Sequence, residues 1–424
     1  MEIPALHELF LRHPKVFTDS RKVEKGGIFF ALKGPNFNGN SFANKALKEG
    51  AAYAVIDEEE FLNNDSCILV QDVLTTLQQL GTYHRMQSKA KIIALTGSNG
   101  KTTTKELISS VLSKRFNTIA TVGNLNNHIG VPLTLLSIQE DTEIAVVEMG
   151  ANHQKEIEFL CQLALPDHGY ITNFGKAHLE GFGGVEGVIK GKSELYQHLI
   201  SNEKHIFWNA DDPIQAEKLK DYPNKTGCSQ SNSADYQILF LSADPYVILQ
   251  TEGTEIKTNL PGAYNFTNAA AAILIGLYLE VPLTKIKEGI EAYQPENNRS
   301  QILNKNGLEI YLDAYNANPS SMRAALEAFH KTRAKFKTVL LGDMFELGDD
   351  AAIEHQAIAD LTGDLSFDNS YFVGKNFSSV KTKGNAFSSF EDFSTYLKEH
   401  PLAKGAVLIK GSRGMALERV LELL

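Results

Sequence analysis

The sequence predicts a three-domain α/β protein built on mostly parallel sheets, and three observations carry that prediction. The chain has 424 residues, about three domains at ~150 residues each. Short apolar runs alternate with helical patterns over most of its length, as when parallel strands are joined by crossover helices. One such run leads through a loop of glycine, lysine and threonine directly into a helix.

Residues 1–88 carry short strand-like runs at 27–32 and 52–56, separated by the Gly and Asn cluster 34–40, and read as a small α/β domain. The central domain is expected over 89–297. It opens with the apolar run 92–95, a glycine-containing turn, and a helix over 102–112 with Leu107, Val111 and Leu112 on one side. Strands at 144–149, 170–173 and 205–208 and a helix at 267–280 continue a mostly parallel sheet. After the polar segment 295–300, strands at 309–312, 338–341, 371–373 and 406–409 alternate with helices, so residues 298–424 read as a doubly wound unit.

Composition narrows the function classes. With 43% apolar residues, 22% charged residues and 13 Pro, the chain should fold throughout. The 41 basic against 51 acidic residues leave a net charge of −10, which repels a phosphate backbone and argues against nucleic acid as a partner. Cys67, Cys161 and Cys228 are too few and too scattered for a disulfide framework or a zinc motif, so a cytoplasmic location is expected. Residues 1–10 do not resemble a secretory signal. The longest apolar stretch, 269–279, is 11 residues, against the ~20 that span a bilayer.

The sharpest local signal is Thr96-Gly97-Ser98-Asn99-Gly100-Lys101-Thr102-Thr103. Glycines let backbone N–H groups converge on phosphate oxygens, the helix adds its positive end, Lys101 reaches terminal phosphates, and the hydroxyl of Thr102 can hold magnesium. Leu95 occupies the place of the usual first glycine, so the loop is a shortened version of the common pattern. Glu148 ends the apolar strand 144–147, a position suited to a metal-holding acid. His178 follows the next strand in a glycine-rich loop. Lys190 and Lys192 are read as starting the helix that runs through Glu194 to Leu199, where cations oppose the helix dipole.

These residues do not stand alone. Gly123-Asn124-Leu125-Asn126-Asn127, Glu148-Met149-Gly150-Ala151-Asn152-His153 and His178-Leu179-Glu180-Gly181-Phe182-Gly183 follow the loop in order. Asn265-Phe266-Thr267-Asn268, Asp313-Ala314-Tyr315-Asn316-Ala317-Asn318-Pro319, Leu341-Gly342-Asp343-Met344-Phe345-Glu346-Leu347-Gly348 and Lys410-Gly411-Ser412-Arg413 complete the series. Together they resemble the Mur ligase family, the ATP-dependent amide-forming enzymes of peptidoglycan precursor synthesis. The pattern is most similar to members that add D-alanyl-D-alanine to UDP-N-acetylmuramoyl-tripeptide.

The resemblance implies a UDP-sugar domain, a central ATPase domain and a Rossmann-like C-terminal domain that closes over the site, in a protein that acts as a monomer. It implies that residues Gly97 to Thr103 cradle the ATP phosphates, with Lys101 catalytic, and that Asn268, Arg299 and Asp313 reach the nucleotide. It implies that Thr102, Glu148, His178 and Lys192 hold Mg2+. Lys192 lies fourteen positions after His178, where relatives carry a carbamylated lysine. Ser20, Arg21, Lys33, Asn126 and Asn127 would meet the UDP-tripeptide. Lys410, Ser412 and Arg413, at a turn entering the final helix, would meet the dipeptide carboxylate. Three positions depart from the family pattern: Asn38 and Asn40 in Asn38-Gly39-Asn40 replace the Asp and His of Asp-Gly-His, and Asn298 replaces a glycine. The rival readings are another amide ligase of the family, such as the third-residue-adding enzyme or a folylpolyglutamate synthetase, and a nucleotide-gated regulator that forms no amide.

Overall fold

The computed structural model describes residues 1–424. Three mostly parallel sheets organise the chain. In the N-terminal part, strands Val16–Phe17, Ile28–Phe30, Tyr53–Ile56 and Cys67–Leu69 form a parallel sheet in that order. Helix Val73–Gln87 leads away from it, capped by Asp72, whose side chain accepts from Thr75 N.

The central sheet has seven parallel strands in the order Tyr236–Gln237, Lys225–Ser229, His205–Asn209, His168–Ile171, Lys91–Thr96, Ile144–Glu148 and Thr118–Ala120. Its inner strands are apolar on both faces because helices cover both, which is why they read as unbroken hydrophobic runs. Chain order reverses at strand Lys91–Thr96, which lies between the later strands Ile144–Glu148 and His168–Ile171. Helix Lys101–Leu112 follows and packs against helices Phe266–Tyr278 and Leu283–Ala292. Loops leaving the carboxyl ends of three adjacent strands therefore converge at a topological switch point.

A three-stranded antiparallel sheet, Leu239–Ala243, Tyr246–Thr251 and Thr254–Pro261, is an addition that the sequence reading did not include. The C-terminal sheet runs Gln301–Lys305, Leu308–Leu312, Gly405–Lys410, Lys337–Gly342, Asn369–Val373 and Asn385–Phe387. It is parallel apart from the first strand, which forms a hairpin with the second.

Two local expectations are corrected. Lys190 and Lys192 do not begin the helix Glu194–Ser201; they end a separate helix, Val185–Lys192, so no cation opposes a helix dipole here. The final segment has no α-helix: Arg413–Met415 and Leu417–Glu422 are short 3-10 turns, divided by Ala416 in a left-handed conformation. No helix is long and apolar enough to cross a membrane.

Candidate active site

A cleft of about 1200 Å³ opens where the central and C-terminal parts meet, at the carboxyl edge of the central sheet. Its floor is the phosphate loop. Gly100 has φ 79°, and a Cβ there would lie 2.3 Å from Oδ1 of Asn268, so this turn accepts only glycine. Asn268 is held by Thr104, whose hydroxyl donates to Oδ1 at 3.1 Å, and by its own amide, which donates to Asn265 Oδ1 at 2.8 Å. Lys101 donates to the carbonyls of Gly97 at 2.8 Å and Ser98 at 3.3 Å. Burial pushes its amine below the usual lysine value; Glu148 opposes that shift and Arg299 adds to it.

The loop is braced by the next strand. Asn99 N donates to Asn173 Oδ1 at 3.1 Å, while Thr172 Oγ1 and Asn173 Nδ2 donate to the Asn99 carbonyl at 2.6 and 3.0 Å. Sequence reasoning missed Thr172 and Asn173 as functional residues, although Asn173 closes a strand-like run that it identified.

Glu148 sits at the end of strand Ile144–Glu148, paired in register with Leu95, which places it beside the phosphate loop. It is 1% exposed. Asn126 Nδ2 donates to its Oε1 at 2.7 Å, and its Oε2 is buried with no hydrogen-bond partner. A buried carboxylate oxygen left unpaired is costly unless a cation meets it, and the donor set around it suits a hard ion such as magnesium. Thr102 and His178 line the same cleft. No three His, Cys, Asp or Glu side chains cluster as a metal site on their own.

Lys192 is fully buried and lies behind the cleft wall rather than in its lining. Its Nζ donates to the Ala151 carbonyl at 3.1 Å and lies 4.9 Å from the centre of the Phe182 ring. Burial, with Lys101 nearby, pushes its amine well below the usual lysine value, against a partial pull from Glu156 and Glu194.

The C-terminal part forms the opposite wall with Arg299, Asp313, Tyr315 and Lys410. Arg299 lies 3.5 Å over the Tyr315 ring. Lys410 Nζ pairs with Asp313 Oδ2 at 2.5 Å. The two parts share an apolar cluster that includes Leu179, Phe182, Met344 and Leu347, and polar contacts ring the join. Asn318 caps helix Pro319–His330 and also donates from Nδ2 to Asn99 Oδ1 of the phosphate loop at 2.7 Å. Lys176 N donates to Ser320 Oγ at 2.8 Å, and its Nζ pairs with Glu354 at 2.5 Å. His178 Nδ1 lies 2.5 Å from Glu346 Oε2, and this proximity holds the Glu346 carboxyl below its usual range.

Of the expected site residues, Ser98, Asn99, Gly100, Lys101, Thr102, Thr103, Asn126, Asn127, Glu148, His178, Asn268, Arg299, Asp313 and Lys410 line this one cleft. Others lie outside its lining. Arg21 pairs with Asp19, and Lys33 pairs with Asp57 at 3.0 Å, both in the N-terminal part with Ser20. The buried Ser412 hydroxyl accepts from Phe345 N at 2.9 Å and donates to the Ala317 carbonyl at 3.2 Å. Arg413 pairs with Glu418 at 2.7 Å. Asn40 is also buried and fixes the loop at Asp57, donating to its Oδ1 at 2.8 Å.

Three family models cover the chain in sequence: "Mur ligase family, catalytic domain" over residues 15–98, "Mur ligase middle domain" over 95–276, and "Mur ligase, glutamate ligase domain" over 298–413. The chain belongs to the Mur ligase family. Among family members, UDP-N-acetylmuramoyl-tripeptide--D-alanyl-D-alanine ligase of Bacillus subtilis is 34% identical, covering 96% of this chain and 92% of the relative. The Escherichia coli protein of that name is 32% identical, covering 96% and 93%. The Mur ligase fold extends over nearly the whole length. MurF from Acinetobacter baumannii superposes with a TM-score of 0.83 at 32% identity, covering 96% of this chain and 92% of that one. MurF ligase from Thermotoga maritima, solved in complex with ADP, gives 0.84 at 27% identity, covering 98% and 97%.

Proposed function

We infer that this chain is the ATP-dependent ligase that joins D-alanyl-D-alanine to UDP-N-acetylmuramoyl-tripeptide. Its products are ADP, phosphate and the UDP-N-acetylmuramoyl-pentapeptide precursor of peptidoglycan. The observation that carries this reading is near-full-length similarity, at 34% and 32% identity, to relatives named for that activity.

The geometry suits the chemistry. A carboxylate does not acylate an amine at neutral pH, because its leaving group is in effect oxide. Attack of a tripeptide carboxylate oxygen on the γ-phosphorus of ATP expels ADP and leaves an acyl phosphate. The dipeptide amine then attacks the acyl carbon, phosphate departs, and the ammonium proton is lost. Positioning and charge neutralisation supply most of the rate, and no nucleophilic side chain is needed. Lys101 and the N–H groups of residues 97–103 hold the phosphates, and bound phosphate restores the charge that burial disfavours on Lys101. Arg299 and Asp313 reach the nucleotide from the other wall, Asn268 supports the loop beneath it, and closure keeps water from the acyl phosphate.

Magnesium fits the unpaired Oε2 of Glu148, with Thr102 and His178 as the other holders. It supplies charge neutralisation on the transferring phosphoryl group. Lys192 is the carbamylation site in this reading: a neutral amine adds carbon dioxide and loses a proton to become an anion, and burial of Lys192 favours that neutral form. Asn126 and Asn127 face the tripeptide, and Ser20, Arg21 and Lys33 the UDP-sugar. Lys410 remains the best-placed of the three candidates for the dipeptide carboxylate, since it alone lines the cleft. Domain boundaries near residues 88 and 297, a hinge at 295–300 and a cytoplasmic monomer belong to the same reading. Free, buried Cys67, Cys161 and Cys228 accord with a reducing compartment.

The test is direct. The protein is incubated with ATP, magnesium, D-alanyl-D-alanine and UDP-tripeptide bearing either diaminopimelate or lysine, and products are read by mass. Pentapeptide formed with equimolar ADP supports the reading; ATP hydrolysis without a new amide refutes it.

A further inference from the structure

Lys105, one turn beyond Lys101 on helix Lys101–Leu112, is a buried cation that the chemistry above does not use. Its side chain is 0% exposed. The ammonium donates to the Thr121 carbonyl and lies 3.5 Å from that of Gly123, and it pairs with Glu106 at 2.9 Å. Burying an ammonium carries a desolvation penalty of several kcal/mol, and a well-packed apolar side chain of the same volume often serves stability as well or better. Packing alone therefore does not call for a lysine here. What the ammonium offers, and methionine does not, is N–H donors aimed at the carbonyls of one loop.

That loop, residues 121–127, connects the helix to the acid and to the substrate side of the cleft. Thr121 Oγ1 accepts from Glu148 N at 3.0 Å, Asn126 O accepts from Gly150 N at 2.8 Å, and Asn126 Nδ2 donates to Glu148 Oε1 at 2.7 Å. Asn124, Asn126 and Asn127 all line the cleft. Loop 121–127 thus leaves strand Thr118–Ala120, is tied to the phosphate-loop helix through Lys105, and has its tip at the reacting end of the cleft.

We propose that Lys105 is a positioning residue: by gripping the Thr121 and Gly123 carbonyls it fixes loop 121–127 against the phosphate-loop helix, and so sets where the UDP-tripeptide is held relative to ATP. The proposal rests on the ligase reading, with the tripeptide on the Asn126 side. Lys105→Met keeps the length and apolar stem while removing the donors. It is expected to raise the Michaelis constant for UDP-tripeptide about tenfold or more, while those for ATP and D-alanyl-D-alanine stay within about twofold. Glu106→Gln leaves the ammonium and its carbonyl contacts in place and keeps all three constants near wild type.

Gly123→Ala reaches the same loop from the solvent side. An added Cβ there meets nothing within 4 Å, but φ of 56° is strained for alanine. It should reproduce the selective rise, and if Lys105→Met does not fold, an unchanged constant for UDP-tripeptide in Gly123→Ala still overturns the proposal. A uniform change in all three constants, or an unchanged constant for UDP-tripeptide in the folded variants, overturns the proposal. Absence of wild-type turnover with UDP-tripeptide would overturn the ligase reading instead, which keeps the two failures distinct.

Discussion

Replacing Lys192 by methionine should make the protein more stable at neutral pH even as it removes activity. In the folded chain this amine is fully buried, has one hydrogen bond at 3.1 Å, and is held well below its usual titration range by burial and by Lys101. Unfolded, it titrates near ~10.4. Between the lowered native value and that unfolded value, the unfolded chain binds one proton that the native chain does not. Stability then rises with pH by about 1.4 kcal/mol per unit from this group alone. Methionine fills the same volume without that linkage. In carbon-dioxide-free buffer, the stability advantage of Lys192→Met over wild type should therefore shrink as pH rises from 7.5 to 9.5, by at most about 1.4 kcal/mol per unit. Urea denaturation of both proteins across that range measures it. Parallel stability profiles would show that Lys192 is charged in the native state and would refute the argument. Bicarbonate should stabilise wild type and leave Lys192→Met unmoved, since only a neutral amine can take up carbon dioxide.

Other expectations concern the cleft. Lys101→Ala and Glu148→Ala should each lower turnover by about a hundredfold or more, from loss of ~3 kcal/mol of transition-state stabilisation; circular dichroism checks the fold, and near-normal turnover would move the triphosphate site elsewhere. Lys192→Ala should be nearly inactive and partly rescued by a short carboxylic acid, and full activity without bicarbonate would exclude the carbamate. Gly100→Ala combines left-handed strain with displacement of Asn268 and should destabilise by about 2–4 kcal/mol while weakening ATP binding; urea midpoints and ATP titration read the two effects. Asn318→Ala removes a helix cap worth about 1 kcal/mol together with the phosphate-loop contact, so the constant for ATP should rise along with a fall in midpoint. A fall in midpoint alone would limit Asn318 to capping.

Much of this was legible because it is local. Strand, turn and helix around residues 92–112 follow from hydrophobic period and glycine placement, and the structure has Lys91–Thr96 and Lys101–Leu112. Glu148 was readable because an acid ending an apolar run must emerge at the sheet's edge. The antiparallel sheet 239–261 was missed, although the apolar runs at 238–241 and 246–249 on either side of Asp244-Pro245 are the signal that could have found it. The helix ending at Lys192 was merged with its successor because Ser193, between them, keeps helical backbone angles and carries no breaker signal. Asn318 and Asn99 are 219 residues apart, and no local pattern could show that one caps a helix and reads the phosphate loop at once. Lys105 carries no local signal, because the carbonyls it meets lie 16 and 18 residues further along the chain.

The seam between the central and C-terminal parts has a consequence for turnover. Its rim consists of a few hydrogen bonds and ion pairs, at Asn99, Lys176 and His178 on one side and Asn318, Ser320, Glu346 and Glu354 on the other. The neutral hydrogen bonds among them contribute only about 0.5–1.5 kcal/mol each, and exposed ion pairs about as little, because water takes over when they part. Such a rim works as a catch around an apolar seat at Leu179, Phe182, Met344 and Leu347: several weak points must engage together to seal the reaction, and each can hand its partner back to solvent when the product leaves.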